Sequence, residues 1–256
     1  PSDRAMAVHG DKWNALNPKE YMPAGRVAAV VVNKGNSAAA LTVPQVRGMF
    51  AGEVTDWPLV RPAAVDGEAG VVGPAAAEGG AAAASLPQGK VKAFGIRGKE
   101  GAAGVFDREC LAAGSFKGVT LKKDSAGVLQ AVAMEAGAIG FVDLAATGWD
   151  FTDPAKMQAD AAKAGVKVVG LKLLGPANQI IYPTPQNLRT AMYPLSSRLY
   201  LYVHPKASDT AKDFARFIAT CGASAATPYA DVEGDVRKAF LKNGLIPLPE
   251  PNAEHE

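Results

Sequence analysis

The residues whose types and spacing could do chemistry are few, and they favour binding an anion over catalysing a reaction. Arg97 closes a short alternating segment and is followed by a glycine-rich stretch, Gly98–Phe106, that has the pattern of a helix start. The first turn of that helix, at Gly101–Gly104, carries backbone N–H groups beneath small side chains, and such groups bind anions. Asp124 and Ser125 begin a second helix, where the Ser125 hydroxyl is either a further donor or a plain N-cap.

We find no pattern of an enzyme or a metal site. The sequence has no Ser/His/Asp order with supporting context, no Gly-x-Ser-x-Gly elbow, no P-loop and no dinucleotide fingerprint. The cysteines and histidines show no metal-ligand spacing, so we expect no metal and no cofactor. These residues are Cys110, Cys221, His9, His204 and His255.

Composition and charge exclude further classes of partner. The chain has 256 residues, 48% of them hydrophobic and 20% charged, which suits a soluble protein of one large domain or two lobes. With 27 basic against 25 acidic residues the net charge is only +2, and no basic run exceeds two residues. We therefore expect no nucleic-acid partner. No apolar stretch approaches the ~20 residues of a membrane span, so we expect no span either.

Short apolar runs alternate with helix patterns, which predicts the α/β class. The Val-rich run Arg26–Asn33 is typical of a buried strand, and Thr42 with Pro44 marks a helix start. The segment 62–89, rich in Ala, Gly and Pro, is interpreted as a long loop or insertion. Further strands are predicted at Lys90–Arg97, Ala138–Val142, Lys167–Leu174 and Arg198–Val203, and further helices at Gly101–Ala113, Ser125–Glu135, Ser208–Thr220 and Asp231–Lys242.

Four segments resemble, in this order, the phosphate-binding proteins that feed ABC importers. They are Leu41–Trp57 (LTVPQVRGMFAGEVTDW), Ala136–Val142 (AGAIGFV), Tyr193–Val203 (YPLSSRLYLYV) and Asn243–Leu248 (NGLIPL). Each segment alone is a weak signal, but all four keep the order and approximate spacing of the family. The resemblance implies a two-lobed type II periplasmic-binding fold of the α/β class. In that fold mixed sheets are flanked by helices, the chain crosses a hinge twice, and an anion binds between the lobes.

The resemblance also implies a map of the lobes. The crossings are expected near Gly25–Val27 and near Ile181–Tyr193. Lobe A is then residues 1–26 plus 190–256, and lobe B is residues 27–189 with the insertion at 62–89. Lobe A lacks the strand, helix and strand with which the family begins, so these lie upstream or come from another chain. Cys110 and Cys221 fall in different lobes, where a disulfide would lock the hinge, so we expect none.

The expected ligand site follows from the same resemblance. Ser2 and Asp3 resemble the family's Ser-Asp element, in which the carboxylate accepts a hydrogen bond from protonated phosphate and repels sulfate; a helix cap or frayed terminus is the other interpretation. Arg97 matches the family's arginine, and Gly101 matches its glycine. Glu100 and Ala102 stand where the family has hydroxyl donors, and Ala103 replaces a second arginine. Ser125 remains as an extra donor.

These departures weaken the expected site. Each hydrogen bond contributes ~0.5–1.5 kcal/mol, or ~1.5–3 when charge-assisted, so losing three donors costs about 4–7 kcal/mol. Two hypotheses follow. The first is a solute-binding protein, periplasmic or extracellular, that delivers phosphate or a related oxyanion to an ABC importer. The second is a domain of the same fold that has lost its ligand and serves as an interaction or structural module. A different ligand, such as a cation or zwitterion held by Glu100, is a third interpretation.

The beginning of the chain leaves an alternative open. The sequence starts at Pro1 and shows no signal-peptide pattern. Either an export segment has been removed or the chain is a fragment.

Overall fold

The structure, a computed structural model, describes residues 16–57, 89–112, 115–173, 179–220 and 230–248, without the side chains of 230–234. Several sequence predictions lie outside these residues. They concern Ser2, Asp3, Cys221, nearly all of the segment 62–89, and the pairing of Cys110 with Cys221.

Strands and helices alternate along the chain, as the α/β class requires. The strands are β1 Lys19–Asn33, β2 Ala40–Leu41, β3 Lys92–Ile96, β4 Thr120–Lys122, β5 Ala138–Asp143, β6 Val166–Val168, β7 Gly170–Lys172, β8 Ile180–Ile181, β9 Ser196–Val203 and β10 Ile246–Pro247. The helices are α1 Val43–Phe50, α2 Gly101–Phe106, α3 Ser125–Met134, α4 Pro154–Lys163, α5 Pro185–Arg189, α6 Asp209–Ala219 and α7 Ala230–Lys242. A π-helical turn, Asp107–Leu111, continues α2, and a 3₁₀ turn, Leu144–Thr147, follows β5.

The long strand β1 is shared by two groups of strands. Its first half pairs antiparallel with β9, up to Val27 opposite Ser196, and with β10 at Ala24 and Gly25. Its second half pairs antiparallel with β5, from Ala28 opposite Asp143, and with β6. The chain thus passes from one group of strands to the other within β1, between residues 27 and 28.

The second half of β1 confirms the predicted buried strand. Residues 28–32 have no exposed surface, as their unbroken Ala and Val sequence indicates. The first half, from Lys19, was not predicted, because Gly25 bounds the apolar run; this half also contains Pro23, which is unusual inside a paired strand. The structure accommodates Pro23 at a register shift between Tyr21 and Ala24, where its missing N–H costs no ladder hydrogen bond.

The larger sheet is mixed. Strands β5, β3 and β4 run parallel to one another, while every partner of β1 is antiparallel to it. A separate small sheet contains β2, β7 and β8.

Aromatic rings form the centre of the core beneath the larger sheet, with Phe106 stacked on Phe141 at a centroid distance of 4.1 Å and Phe50 4.7 Å from Phe106. The two-lobed α/β fold with sheets flanked by helices is confirmed, whereas the lobe boundaries at 26/27 and 189/190 stay a prediction.

Several helix ends follow their capping chemistry. Thr42 and Gln45 form the capping box of α1, since Gln45 N–H donates to Thr42 Oγ1 (3.3 Å) and Thr42 N–H donates to Gln45 Oε1 (2.8 Å). The predicted cap of α3 was wrong by one residue. Asp124 caps that helix by accepting from Gly127 N–H at 2.9 Å, and Ser125 is its first residue. The helices α4 and α5 were not predicted, although Asp153-Pro154 and Thr184-Pro185 are good start signals.

Gly140 sets how closely α3 packs on β5. A Cβ built on Gly140 would lie 2.7 Å from Val128 Cγ1 and 2.9 Å from Val132 Cγ2, and both valines are fully buried. A side chain at residue 140 would therefore push the helix away from the strand. This packing places the start of α3 beside the end of β5.

We predict that Gly140→Ala lowers the free energy of unfolding by about 1–3 kcal/mol, because the added methyl overpacks the contact between helix and strand. Urea denaturation measures the loss. Gly89→Ala is the control, since a Cβ there meets nothing within 4 Å, and its effect should stay within ~0.5 kcal/mol. Equal effects of the two substitutions would contradict the close packing.

Candidate functional site

A cavity of about 460 Å³ opens where β1 passes between its two groups of strands. Its walls are the crossing itself, the starts of α2 and α3, the end of β5 and the end of α7. The lining residues are Arg26, Ile96, Glu100, Gly101, Ala102, Ala103, Lys123, Asp124, Ser125, Asp143, Ala146, Leu241, Lys242, Asn243 and Gly244.

The start of α2 presents backbone donors to the cavity. Glu100 is in extended conformation before the helix and its side chain makes no capping hydrogen bond, so no side chain caps the first turn. Gly101 has φ +59°, a left-handed conformation that favours glycine. Ala102 and Ala103 are nearly fully buried and line the cavity. The Gly104 N–H donates to Glu100 O at 3.1 Å, so the first-turn N–H groups without a side-chain cap are those of Gly101, Ala102 and Ala103.

The start of α3 contributes a hydroxyl and not a free helix end. The Asp124 carboxylate already accepts the N–H of Gly127, which occupies this N-terminus. Ser125 is buried at 5% exposure, and its Oγ accepts the Asp143 N–H at 3.0 Å. Because Oγ is the acceptor in that bond, the hydroxyl proton of Ser125 is available to donate into the cavity.

Asp143 ends β5 and is half-buried in the cavity wall. Its Oδ1 accepts the Ala145 N–H at 3.1 Å and so caps the following 3₁₀ turn. Burial raises the pKa of this carboxyl, whereas the N–H groups of Ala145 and Ala146 and the positive charge of Arg26 lower it. Burial is the largest effect, so the carboxylate lies in a poorly solvated position.

Arg26 is the half-buried cation of the cavity, and it lies on β1 next to the crossing. A Cβ built on Gly101 would lie 3.4 Å from Arg26 Nη1, so the guanidinium lies directly beside the first turn of α2. Within the described part of the chain Arg26 has no ion-pair partner. An arginine held beside free backbone donors can make charge-assisted hydrogen bonds to an oxyanion.

The opposite wall is the end of α7. The helix ends in a turn in which Gly244 N–H donates to Leu241 O (3.0 Å) and Leu245 N–H donates to Phe240 O (2.9 Å), with Gly244 at φ +69°. A Cβ on Gly244 would lie 2.5 Å from Asp143 Oδ2. Glycine at this position therefore lets the Asp143 carboxylate approach the backbone of the opposite wall.

The structure brings together four of the residues that the sequence predicted for the site. Glu100, Gly101, Ala102 and Ser125 all line the cavity. Arg97 does not line it; its side chain is exposed at the end of β3, and its backbone N–H donates to Lys122 O at 2.8 Å. Ser2 and Asp3 lie outside the described residues.

Sequence reasoning missed four charged residues of the cavity, which are Arg26, Lys123, Asp143 and Lys242. Two of them had a usable signal. The predicted crossing near Gly25–Val27 contains Arg26, and Asp143 comes directly after the predicted strand Ala138–Val142. Charges at a crossing and at a strand end are expected to face a cleft between lobes.

Two other kinds of site receive no support from the described residues. Across 16–57, 89–112, 115–173, 179–220 and 230–248, no group of three His, Cys, Asp or Glu residues could hold a metal ion. Over the same residues, no helix combines the length and the apolarity that crossing a membrane requires.

Comparisons with known proteins agree on the fold. Among solved structures, PstS from Borrelia burgdorferi is similar with a TM-score of 0.60 at 12% identity, covering 93% of this chain and 75% of that one. A possible phosphate binding protein from Planctomyces limnophilus has a TM-score of 0.60 at 20% identity, covering 95% and 72%. An ABC-type phosphate transport receptor from Vibrio cholerae has a TM-score of 0.51 at 16% identity, covering 90% and 72%.

Sequence comparison identifies the family. No protein with curated annotation matches this sequence. The family described as PBP superfamily domain matches residues 9–220, which is most of the chain. The chain therefore belongs to the PBP superfamily domain family, and it has the fold of PstS-type phosphate-binding proteins.

Proposed function

We propose that this protein is a solute-binding protein that captures phosphate or a related oxyanion in the cavity at the β1 crossing. One observation carries the proposal. The Arg26 guanidinium, the uncapped first-turn N–H groups of α2 and the Ser125 hydroxyl border the same cavity. A cation, backbone amides and a hydroxyl are the donors with which proteins bind tetrahedral oxyanions.

Arg26 supplies a charged hydrogen-bond donor that partly replaces the side-chain donors missing from the family pattern. Ala102 and Ala103 replace side-chain donors of the family pattern, which leaves the start of α2 with its backbone donors and Glu100. A charge-assisted bond from Arg26 contributes ~1.5–3 kcal/mol, comparable to the strongest single donor that was lost. The site thus retains a half-buried cation, Arg26, and the Ser125 hydroxyl, although its donors come from different positions than in the family.

The crossing supports a capture mechanism. The cavity has walls on both sides of the point where β1 changes partners, with α2, α3 and β5 on one side and the end of α7 on the other. A bound anion would be contacted from both sides. Rotation about the crossing would then open and close the site, as expected for two lobes joined by a hinge.

The proposal also covers where the protein acts and where it delivers its ligand. The solved structures with this fold include an ABC-type phosphate transport receptor from Vibrio cholerae. We propose that this chain likewise acts outside the cytoplasm and delivers its ligand to an ABC importer. No step of this role requires chemistry on the ligand, so we propose binding and not catalysis.

We predict that titration calorimetry of the full chain with phosphate shows saturable binding below millimolar ligand. Arsenate should bind similarly because it has the same shape and protonation, and sulfate is the comparison ligand. Saturation tighter than about 10 μM for phosphate would exclude a domain that has lost its ligand. Absence of heat with all three anions at millimolar concentration would contradict the proposal and favour the interaction module.

We predict that Arg26→Gln weakens phosphate binding by about 10–100-fold, the loss expected for one charge-assisted hydrogen bond. Arg97→Gln is the matched variant, since it removes an exposed guanidinium that does not line the cavity, and its effect should stay below about twofold. The opposite order, with the large loss in Arg97→Gln, would return the role to the arginine that the sequence predicted.

A further inference from the structure

The cavity is lined by carboxylates as well as cations. Arg26, Lys123 and Lys242 are opposed by Glu100, Asp124 and Asp143. A site for a simple dianion gains from cations and loses from carboxylates, because like charges repel. The balanced lining of this cavity instead matches a ligand that carries both signs of charge.

The Asp143 carboxylate is the acidic group best placed to bind a ligand. Asp124 is engaged in capping α3, and Glu100 is exposed at the rim. Asp143 is half-buried, with Oδ1 held by the Ala145 N–H and Oδ2 on the side of Gly101 and Gly244. The Ser125 hydroxyl, which accepts the Asp143 N–H, fixes the backbone beneath it.

Arg26 and Asp143 flank one gap without closing it. A Cβ built on Gly101 would lie 3.4 Å from Arg26 Nη1 and 3.9 Å from Asp143 Oδ2. The two groups nevertheless form no ion pair with each other. Glycine at 101 keeps the gap free, and glycine at 244 admits the carboxylate from the other wall. An oxyanion beside Arg26 would thus have Asp143 next to it.

The volume agrees with a ligand larger than inorganic phosphate. At roughly 30 Å³ per water molecule of liquid, the cavity's 460 Å³ is far more than a five-atom oxyanion fills. It falls within the ~300–1,000 Å³ of sites that hold organic small molecules. An alkyl chain with an amine, attached to the oxyanion, would use the remaining space.

We propose that the ligand of this cavity is a zwitterion, an oxyanion group joined by a short alkyl chain to a protonated amine. The oxyanion binds at Arg26 and the amine binds at Asp143 Oδ2. The inference rests on the proposed function, since it assigns the ligand class of the same site. The shared chemistry is that of aminoalkyl phosphonates and aminoalkyl phosphate monoesters.

The test compares ligands that differ only in the amine. The full chain is titrated with 2-aminoethylphosphonate against ethylphosphonate, with phosphoethanolamine against ethyl phosphate, and with inorganic phosphate. In each pair the amine should improve affinity about tenfold or more, the gain expected from one charge-assisted contact. The tighter-binding of the two amino ligands, 2-aminoethylphosphonate or phosphoethanolamine, identifies the phosphonate or the ester as the better source of the oxyanion.

Two variants assign the amine to Asp143. Asp143→Asn should abolish the amine's advantage, so that 2-aminoethylphosphonate binds no tighter than ethylphosphonate, because the carboxylate that pairs with the amine is removed. Glu100→Gln, which neutralises an exposed carboxylate of the same cavity, should keep most of the advantage. An advantage lost in Glu100→Gln and kept in Asp143→Asn would overturn the assignment.

The remaining outcomes separate the inference from the proposed function. If phosphate and ethylphosphonate bind but the amine adds nothing, the zwitterion is overturned and oxyanion capture stands. The same holds if Asp143→Asn weakens the binding of phosphate itself, since Asp143 would then accept a hydrogen bond from the protonated oxyanion. If neither phosphate nor any of the four organic ligands binds, the proposed function falls as well.

Asp143→Asn should also raise the thermal unfolding midpoint of the ligand-free protein at pH 7 by roughly 1–4 °C. Burial raises the pKa of Asp143 in the folded state, so its ionisation costs stability as the pH rises through that pKa. Asparagine removes that cost and still caps the turn. The difference should shrink as the pH falls below the ordinary pKa of an aspartate, because the residue 143 side chain then becomes neutral in both proteins.

The other charged groups that share the cavity with Asp143 are present in both proteins, so the two proteins differ only at residue 143. They are Arg26, Glu100, Lys123, Asp124 and Lys242. A variant less stable than the parent at pH 7 would mean that the carboxylate is already compensated within the protein. That result would remove the reason for a cationic ligand group and overturn the inference.

Discussion

The structure depends on one hydrogen-bonded strand that belongs to two groups of strands at once. β1 pairs with β9 and β10 through its first half and with β5 and β6 through its second. Its backbone donors and acceptors must be satisfied on both sides of the crossing, which fixes where the groups meet. Arg26 lies at that meeting point, so its side chain borders the cavity because of its place in the strand.

Around the crossing, the polar groups of the cavity wall are positioned by backbone hydrogen bonds at the ends of helices and strands. Ser125 supports Asp143, Asp143 caps the turn after β5, and Gly244 ends α7 against the same carboxylate. The Asp143 carboxylate and the Arg26 guanidinium are both half-buried in this cavity but form no ion pair. In the free protein, the free-energy cost of partly removing these two charges from water is therefore not fully offset. A ligand that satisfies both groups would recover that free energy on binding, which links the geometry of the fold to the selection of a solute.

The sequence predicted the class of fold and much of one cavity wall, but not the cation. The apolar run after Arg26, the cap at Thr42 and the small residues at 101–103 are local patterns whose outcome hardly depends on the rest of the chain. The first half of β1, which contains Pro23, was not predicted. A proline is tolerated there because the pairing with β9 has a register shift between Tyr21 and Ala24. The crossing predicted near Gly25–Val27 contained Arg26, but the directions of the Arg26 and Arg97 side chains depend on the neighbouring strands and could not be predicted from the sequence.

The central claim is that the cavity at the crossing receives an oxyanion at Arg26 and the start of α2. Amide and guanidinium resonances in ¹H–¹⁵N spectra, followed while phosphate is added, test it most directly. We expect saturable shifts that are largest for the N–H groups of Gly101–Ala103 and the side chain of Arg26, with smaller shifts at Gly244. Saturable shifts that leave these groups unmoved and cluster around Arg97 or another surface would contradict the account.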